Sequence, residues 1–201
     1  MNSSFVFAYG SLMNPSSLRQ TLPDVDVGEC FPAKVSGLVR TWTVAFPNDG
    51  SQTDKRYVDS TGAVPDVVLF VNLEDRIKAS VELLAANGIL IPVTGGCLKR
   101  LARRELRYEA RDVTNRVGLY SRSHKLKRAD LGIVYAFVGR EEFTRPEDVR
   151  RGVISLDYNR TIERGVTHWG ALIAGFEADY KRSTFFTKAP IVNLVQEFGS
   201  S

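Results

Sequence analysis

Apolar residues in this chain fall into short dense runs separated by polar, turn-rich stretches. The run "FVFA" at 5–8 has the length of a buried strand and leads directly into a Tyr-Gly-Ser-Leu turn. Beyond the turn, Asn14 is placed to cap and Pro15 to open a short helix that stops before Pro23. "AKVSGLVRTWTVAFP" mixes β-branched and aromatic residues around one glycine, which predicts one or two strands ending at Pro47. The polar segment 48–65, within "NDGSQTDKRYVDSTGAVPD", reads as a loop that is long for a compact domain. "DVVLFVNL" is a continuous apolar run, as expected for a strand buried on both faces.

Further along, "EDRIKASVELLAANG" places Ile77, Val81 and Leu84 at helical spacing with Gly88 as a stop, and "ILIPVTGG" is a short extended piece. "CLKRLARRELRYEAR" predicts a strongly charged helix. "DVTNRVGLY" alternates Val113, Asn115, Val117 and Leu119 on one face of a half-buried strand. "SRSHKLKRAD" is a basic turn, and "LGIVYAFVG" another buried strand. From Pro146 the pattern turns helical. "SLDYNRTIERGVTHW" and "GALIAGFEADYKRST" predict two helices, with Leu172, Ile173, Phe176 and Tyr180 as an apolar stripe. Strands first and helices later imply an α+β fold. No repeat, low-complexity tract or linker divides the chain, so 1–201 reads as a single domain.

Composition narrows the chemistry. With 201 residues, the chain can bury a substantial core. Its net charge of +4 comes from 27 basic and 23 acidic residues that are interspersed. That balance suits an anionic small molecule and argues against a nucleic-acid partner. Cys30 and Cys97 are the only cysteines, and His124 and His168 the only histidines. This argues against a disulfide framework and a His-rich metal site, and leaves few candidates for a Ser-His-Asp triad. No run approaches the ~18–20 apolar residues of a membrane span. The first residues lack signal-peptide character. A cytoplasmic protein without membrane, metal or cofactor is expected.

One carboxylate stands out. Leu98, Leu101, Glu105 and Tyr108 are spaced to share one face of the charged helix, while Lys99, Arg100, Arg103, Arg107 and Glu109 lie mostly elsewhere. Desolvation on that face would raise the pKa of Glu105 toward neutrality and suit it to moving protons. The other reading is a structural ion pair with Arg104, Arg111 or a distant cation. The Tyr-Gly-Ser-Leu turn is equally open. Gly10 allows positive φ and close backbone approach, so the turn is either an anion-binding nest or a plain strand-to-helix connection.

Taken together, "FAYGSLM" and, roughly 90 residues later, "LARRELRYEARDVT" resemble the gamma-glutamylcyclotransferase-like family. The shared features are a strand with a Tyr-Gly-Ser turn, then a Leu-x-x-x-Glu helix (Leu101, Glu105), a Tyr (Tyr108) and a strand ("DVT"). "VSGLVRTWTVAFP" and "VVLFVNL" are similar to intervening strands of the family, and "ISLDYNRTIERG" with Tyr158 is a weaker match. Ala102 departs from the pattern, where the family often has Asp. The resemblance implies a small mixed β-barrel with surrounding helices, a core at about 5–139 and a mainly helical extension at about 146–185. It implies cyclisation of a γ-glutamyl amine or peptide to 5-oxoproline with release of the amine. Glu105 would be the general acid/base, the backbone of Tyr9, Gly10, Ser11 and Leu12 would hold the γ-glutamyl group, and Tyr108 would contact substrate or orient Glu105. A non-catalytic small-molecule-binding domain of the same fold is the alternative.

Overall fold

A computed structural model describes residues 3–52, 54–75, 84–120 and 126–198. Its central strand is β1 (Ser3–Ala8). It runs antiparallel to β6 (Ala85–Val93) and parallel to β9 (Leu131–Gly139). Phe5, Val6, Phe7 and Ala8 are therefore all buried, which explains the unbroken apolar run. The sheet has the order β7-β9-β1-β6-β2-β8, with β2 (Phe31–Ser36), β7 (Tyr108–Asp112) and β8 (Val117–Leu119) completing it.

A second sheet has the order β11-β10-β5-β3, built from β3 (Leu38–Pro47), β5 (Val67–Asp75), β10 (Val153–Ser155) and β11 (Ile191–Val192). A separate ribbon pairs β4 (Lys55–Asp59) with β12 (Leu194–Phe198). Among the described residues these sheets stay open, and hydrogen bonding closes none of them into a barrel. The helices are α1 (Pro15–Thr21), α2 (Gly95–Arg104), α3 (Pro146–Arg151), α4 (Leu156–Leu172) and α5 (Phe176–Ser183). The fold is α+β, and none of the described helices is long and apolar enough to cross a membrane.

Several local expectations fail for identifiable reasons. The 48–65 segment is not a bare loop: β4 forms in it because β12, nearly the last stretch of the chain, supplies the pairing edge. In the helix expected around Ile77 and Val81, residues 76–83 lie outside the described residues, and Gly88 sits inside β6 rather than ending a helix. A Cβ at Gly88 would strike the Ala8 carbonyl oxygen and the Phe7 ring, so this glycine lets two strands approach. The expected strand at "DVTNRVGLY" is interrupted by a 3-10 turn at Thr114–Arg116. The predicted helix at "GALIAGFEADYKRST" splits at Gly175, whose φ is 82°. Phe176 and Tyr180 are buried beyond the break, while Leu172 is left exposed. The basic turn's His124 lies outside the described residues.

The features that position the cleft are local to β1. Asn14 caps α1 through its side-chain oxygen, which accepts from the Ser16 and Ser17 N–H groups. Its amide also donates to the Thr161 carbonyl of α4, 3.1 Å away. Trp169 on α4 donates its indole N–H to the Met13 carbonyl at 2.9 Å. Gly165 lies so close to the Met13–Asn14 backbone that a Cβ there would come within 2.8 Å of it. The helix α4 thus clamps the turn after β1 from outside.

Candidate active site

The Tyr-Gly-Ser-Leu turn forms a 3-10 element, Ser11–Met13, with Gly10 as its cap. Gly10 has φ −120° and ψ −138°, so positive φ is not what demands glycine. The demand is room: an added Cβ would lie 2.7 Å from Val71 Cγ2 and 3.3 Å from the Tyr158 hydroxyl. As at any helix start, the first N–H groups lack intrahelical partners. Among the described residues, no acceptor in the chain takes the N–H groups of Gly10, Ser11 or Leu12. Tyr9 is fixed from both ends. Its hydroxyl donates to the Phe137 carbonyl, and its own carbonyl accepts from Arg40 Nε at 2.7 Å.

Glu105 is not on the charged helix, as its spacing suggested. The helix α2 ends at Arg104, and Glu105 is its C-cap, with its N–H still bonded to the Leu101 carbonyl at 2.8 Å. Strand β7 begins at Tyr108 because that residue pairs with Gly139 of β9. The sheet edge captures the chain before another helical turn can form. Burial nevertheless pushes the Glu105 carboxyl up, against the opposing pull of Arg104, Lys55 and Arg107. Arg104 Nε lies 3.5 Å from Glu105 Oε1, and the same guanidinium donates to Ser11 Oγ at 3.1 Å and Thr21 Oγ1 at 2.6 Å. Arg104 therefore links Glu105 to the turn.

These parts meet in one cleft of about 710 Å³. Tyr9, Gly10, Ser11, Leu12, Glu105 and Tyr108 all line it. Tyr108 donates its hydroxyl to the Val71 carbonyl at 2.8 Å, so its proton is committed to β5 and not to Glu105. Tyr158, at the start of α4, also faces the cleft. Its ring packs edge-on to Phe70 at 4.9 Å and Trp42 at 6.0 Å. Burial, then the neighbouring Glu105 charge, pushes its phenol well above its ordinary value. Cys97 is buried at the start of α2, and His168 is exposed on α4.

Of three charged residues in the cleft region, the sequence reading assigned Lys55 and Arg40 no role and placed Arg107 off the apolar face of the helix. Arg107 is only 3% exposed and pairs with both oxygens of Asp54 while stacking 4.5 Å over the Phe46 ring. Desolvation pushes the Asp54 carboxyl up, but the Arg107 hydrogen bonds and charge outweigh it and hold it below the usual carboxylate range. Lys55 enters the cleft from β4, its ammonium 4.5 Å from the centre of the Phe70 ring. Burial, helped by Arg107, pushes it down to about 8. Arg40 is fully buried behind the cleft. It binds the carbonyls of Tyr9 and Asn87 and the Thr184 hydroxyl, and no carboxylate pairs with it among the described residues. The lone signal for Arg40 was a charge inside an otherwise strand-like run. Lys55 and Arg107 gave none, because their partners come from distant segments.

No protein-family model and no curated protein matches the sequence. Solved structures do match in fold. YkqA from Bacillus subtilis aligns with a TM-score of 0.55 and 17% identity, over 95% of this chain but 56% of YkqA. An uncharacterized protein from Homo sapiens aligns at 0.54 and 14%, over 95% of this chain and 94% of its own. A gamma-glutamyl cyclotransferase aligns at 0.54 and 12%, over 94% and 93%. The chain has a gamma-glutamyl cyclotransferase-like fold.

Proposed function

We propose that this protein, starting from that fold, cyclises a γ-glutamyl amine or peptide to 5-oxoproline and releases the amine. One observation carries the reading: Glu105 and the unpartnered N–H groups of Gly10, Ser11 and Leu12 line the same cleft, and Arg104 contacts both Glu105 and Ser11. The reaction is intramolecular. The substrate's α-amino nitrogen attacks its own γ-carbonyl carbon, which closes a five-membered ring at high effective molarity and needs no Ser or Cys nucleophile.

Each step has a group to perform it. The α-ammonium first loses one proton to water, and Glu105 takes a second from the attacking nitrogen as the new C–N bond forms. The carbonyl oxygen gains negative charge, and the turn N–H groups bind either that oxygen or the γ-glutamyl carboxylate. As the old C–N bond breaks, Glu105 returns the proton to the departing nitrogen. A carboxyl raised by burial exchanges protons with amines more readily than an ordinary glutamate.

Glu105→Gln keeps the size and removes the proton transfer. Release of 5-oxoproline, followed by chromatography, should fall by about 10²–10⁴-fold. In the unmodified protein the acid limb of kcat/KM should sit above the ordinary glutamate range, since Glu105 must be ionised to act and burial raises its pKa. A Gln variant with full activity and the same acid limb would remove Glu105 from the mechanism.

A further inference from the structure

Of the cations that line the cleft, Arg103 and Arg164 are exposed, whereas Lys55 is half-buried. Arg107 is neutralised by Asp54, and Arg104 lies beside Glu105. The Lys55 ammonium makes no ion pair or hydrogen bond with the described residues, although the charges of Asp54 and Glu105 act on it from nearby. Its ammonium instead faces three rings, at 4.5 Å from Phe70, 5.2 Å from Phe46 and 5.6 Å from Tyr57. Rings attract a cation but accept none of its N–H bonds in the way an anion does. A half-buried ammonium on a cleft with its N–H donors unfilled is set to take an acceptor from a ligand.

Its position separates it from the turn. Gly10 abuts Tyr158, Tyr158 packs on Phe70, and Phe70 packs on Lys55. Two rings thus lie along the path of contacts from the turn to the ammonium. A substrate whose glutamyl half occupies the turn would present its other half toward β4 and β12. Both oxygens of Asp54, the carboxylate adjacent in sequence, bond Arg107, and Asp54 acts on Lys55 only through its charge.

We propose that Lys55 is a specificity residue that binds a carboxylate on the departing half of the substrate, so that the released amine is an amino acid or peptide and not a simple alkylamine. This inference rests on the cyclisation reading above. Its test compares γ-glutamylalanine with γ-glutamylethylamine, which differ by the carboxylate on the leaving amine. kcat and KM for 5-oxoproline release are measured for the unmodified protein, Lys55→Met and Lys55→Arg. Dividing variant by unmodified values cancels the intrinsic difference between the two leaving amines. For Lys55→Met, kcat/KM on γ-glutamylalanine should fall by about 10–100-fold, mainly through KM, as for loss of a charge-assisted hydrogen bond. On γ-glutamylethylamine the loss should be smaller by about tenfold, because there Lys55→Met removes only the pull of its charge on Glu105, and Lys55→Arg should restore much of the preference. If Lys55→Met does not fold, Lys55→Gln is measured in the same way. Equal losses on both substrates, or no loss on either, would overturn the assignment and leave the cyclisation reading intact. No turnover of either compound by the unmodified protein would overturn both.

Discussion

Tyr9 and Leu12 belong to the largest body of apolar packing in the molecule, which also contains Phe7, Met13, Val71 and Trp169. Across the cleft, Asp54 and Lys55 sit at a two-stranded ribbon backed by a small cluster of Val44, Phe46, Tyr57, Val68, Phe70 and Leu194. On the turn side, close packing holds a stretch of backbone in one conformation, and the chemistry offered is N–H groups. On the ribbon side there is less packing, and charges are held by pairing or by aromatic faces. The contrast shows how one cleft combines a part that must not move with a part that can change by side-chain substitution. Recognition through backbone is insensitive to most mutations but intolerant of crowding. Recognition through a side chain such as Lys55 would have the opposite character.

The sharpest break on the turn side is Gly10→Val. Its Cβ would enter the space of Val71 Cγ2, and Val71 is itself buried. Overpacking of this kind should cost about 1–3 kcal/mol in denaturant unfolding. A backbone shift of about 1 Å should also cut 5-oxoproline release by about 10²-fold. Normal activity in a folded Gly10→Val protein would refute the tight-backbone account.

On the ribbon side, Asp54→Asn removes the counter-charge of buried Arg107. Arg107 Nε already lacks a partner within the chain among the described residues. Asp54 is 35% exposed, so the loss should be about 1–2 kcal/mol, below that of a fully buried pair. The depressed folded-state pKa of Asp54 sets the sign of the pH effect. The stability difference between unmodified protein and variant is fully present above about pH 4, the unfolded-state value, and is lost as pH falls through the folded-state value. Unfolding curves across that range check it, and a pH-independent difference would count against the ion pair.

The smallest effect is expected for Ser11→Ala, which removes one hydroxyl accepting from Arg104 and leaves the turn backbone in place. Stability should change by less than about 0.5 kcal/mol, and activity by at most a few-fold. A Ser11→Ala loss as large as that of Gly10→Val would move the turn's role from its backbone to its side chains.

Much of this was legible along the chain because it is local. The run before Tyr9 needs no partner to be recognised as a strand, and Asn14–Pro15 is a helix start by its own chemistry. The apolar runs of "DVVLFVNL" and "LGIVYAFVG" mark strands by themselves and supply most of β5 and all of β9, although Ile133 of β9 is exposed. Glu105 was singled out by a helical spacing that the chain does not continue, since β9 draws Tyr108 into a strand. It reaches the cleft from a helix end, and it is burial there that tunes it.

The sequence by itself determined the α+β character, the order of the main strands and helices, and the two short segments that make up the turn and Glu105. Those follow from periodicity, caps and turn residues, whose causes lie within a few residues. Only the tertiary structure decided that segment 48–65 carries a strand, that Arg40 is fully buried, and that Lys55 faces rings while Arg107 takes Asp54. Those outcomes depend on partners as distant as β12 from β4, or Thr184 from Arg40. A charged residue reads as solvent-facing until the fold brings such a partner to it.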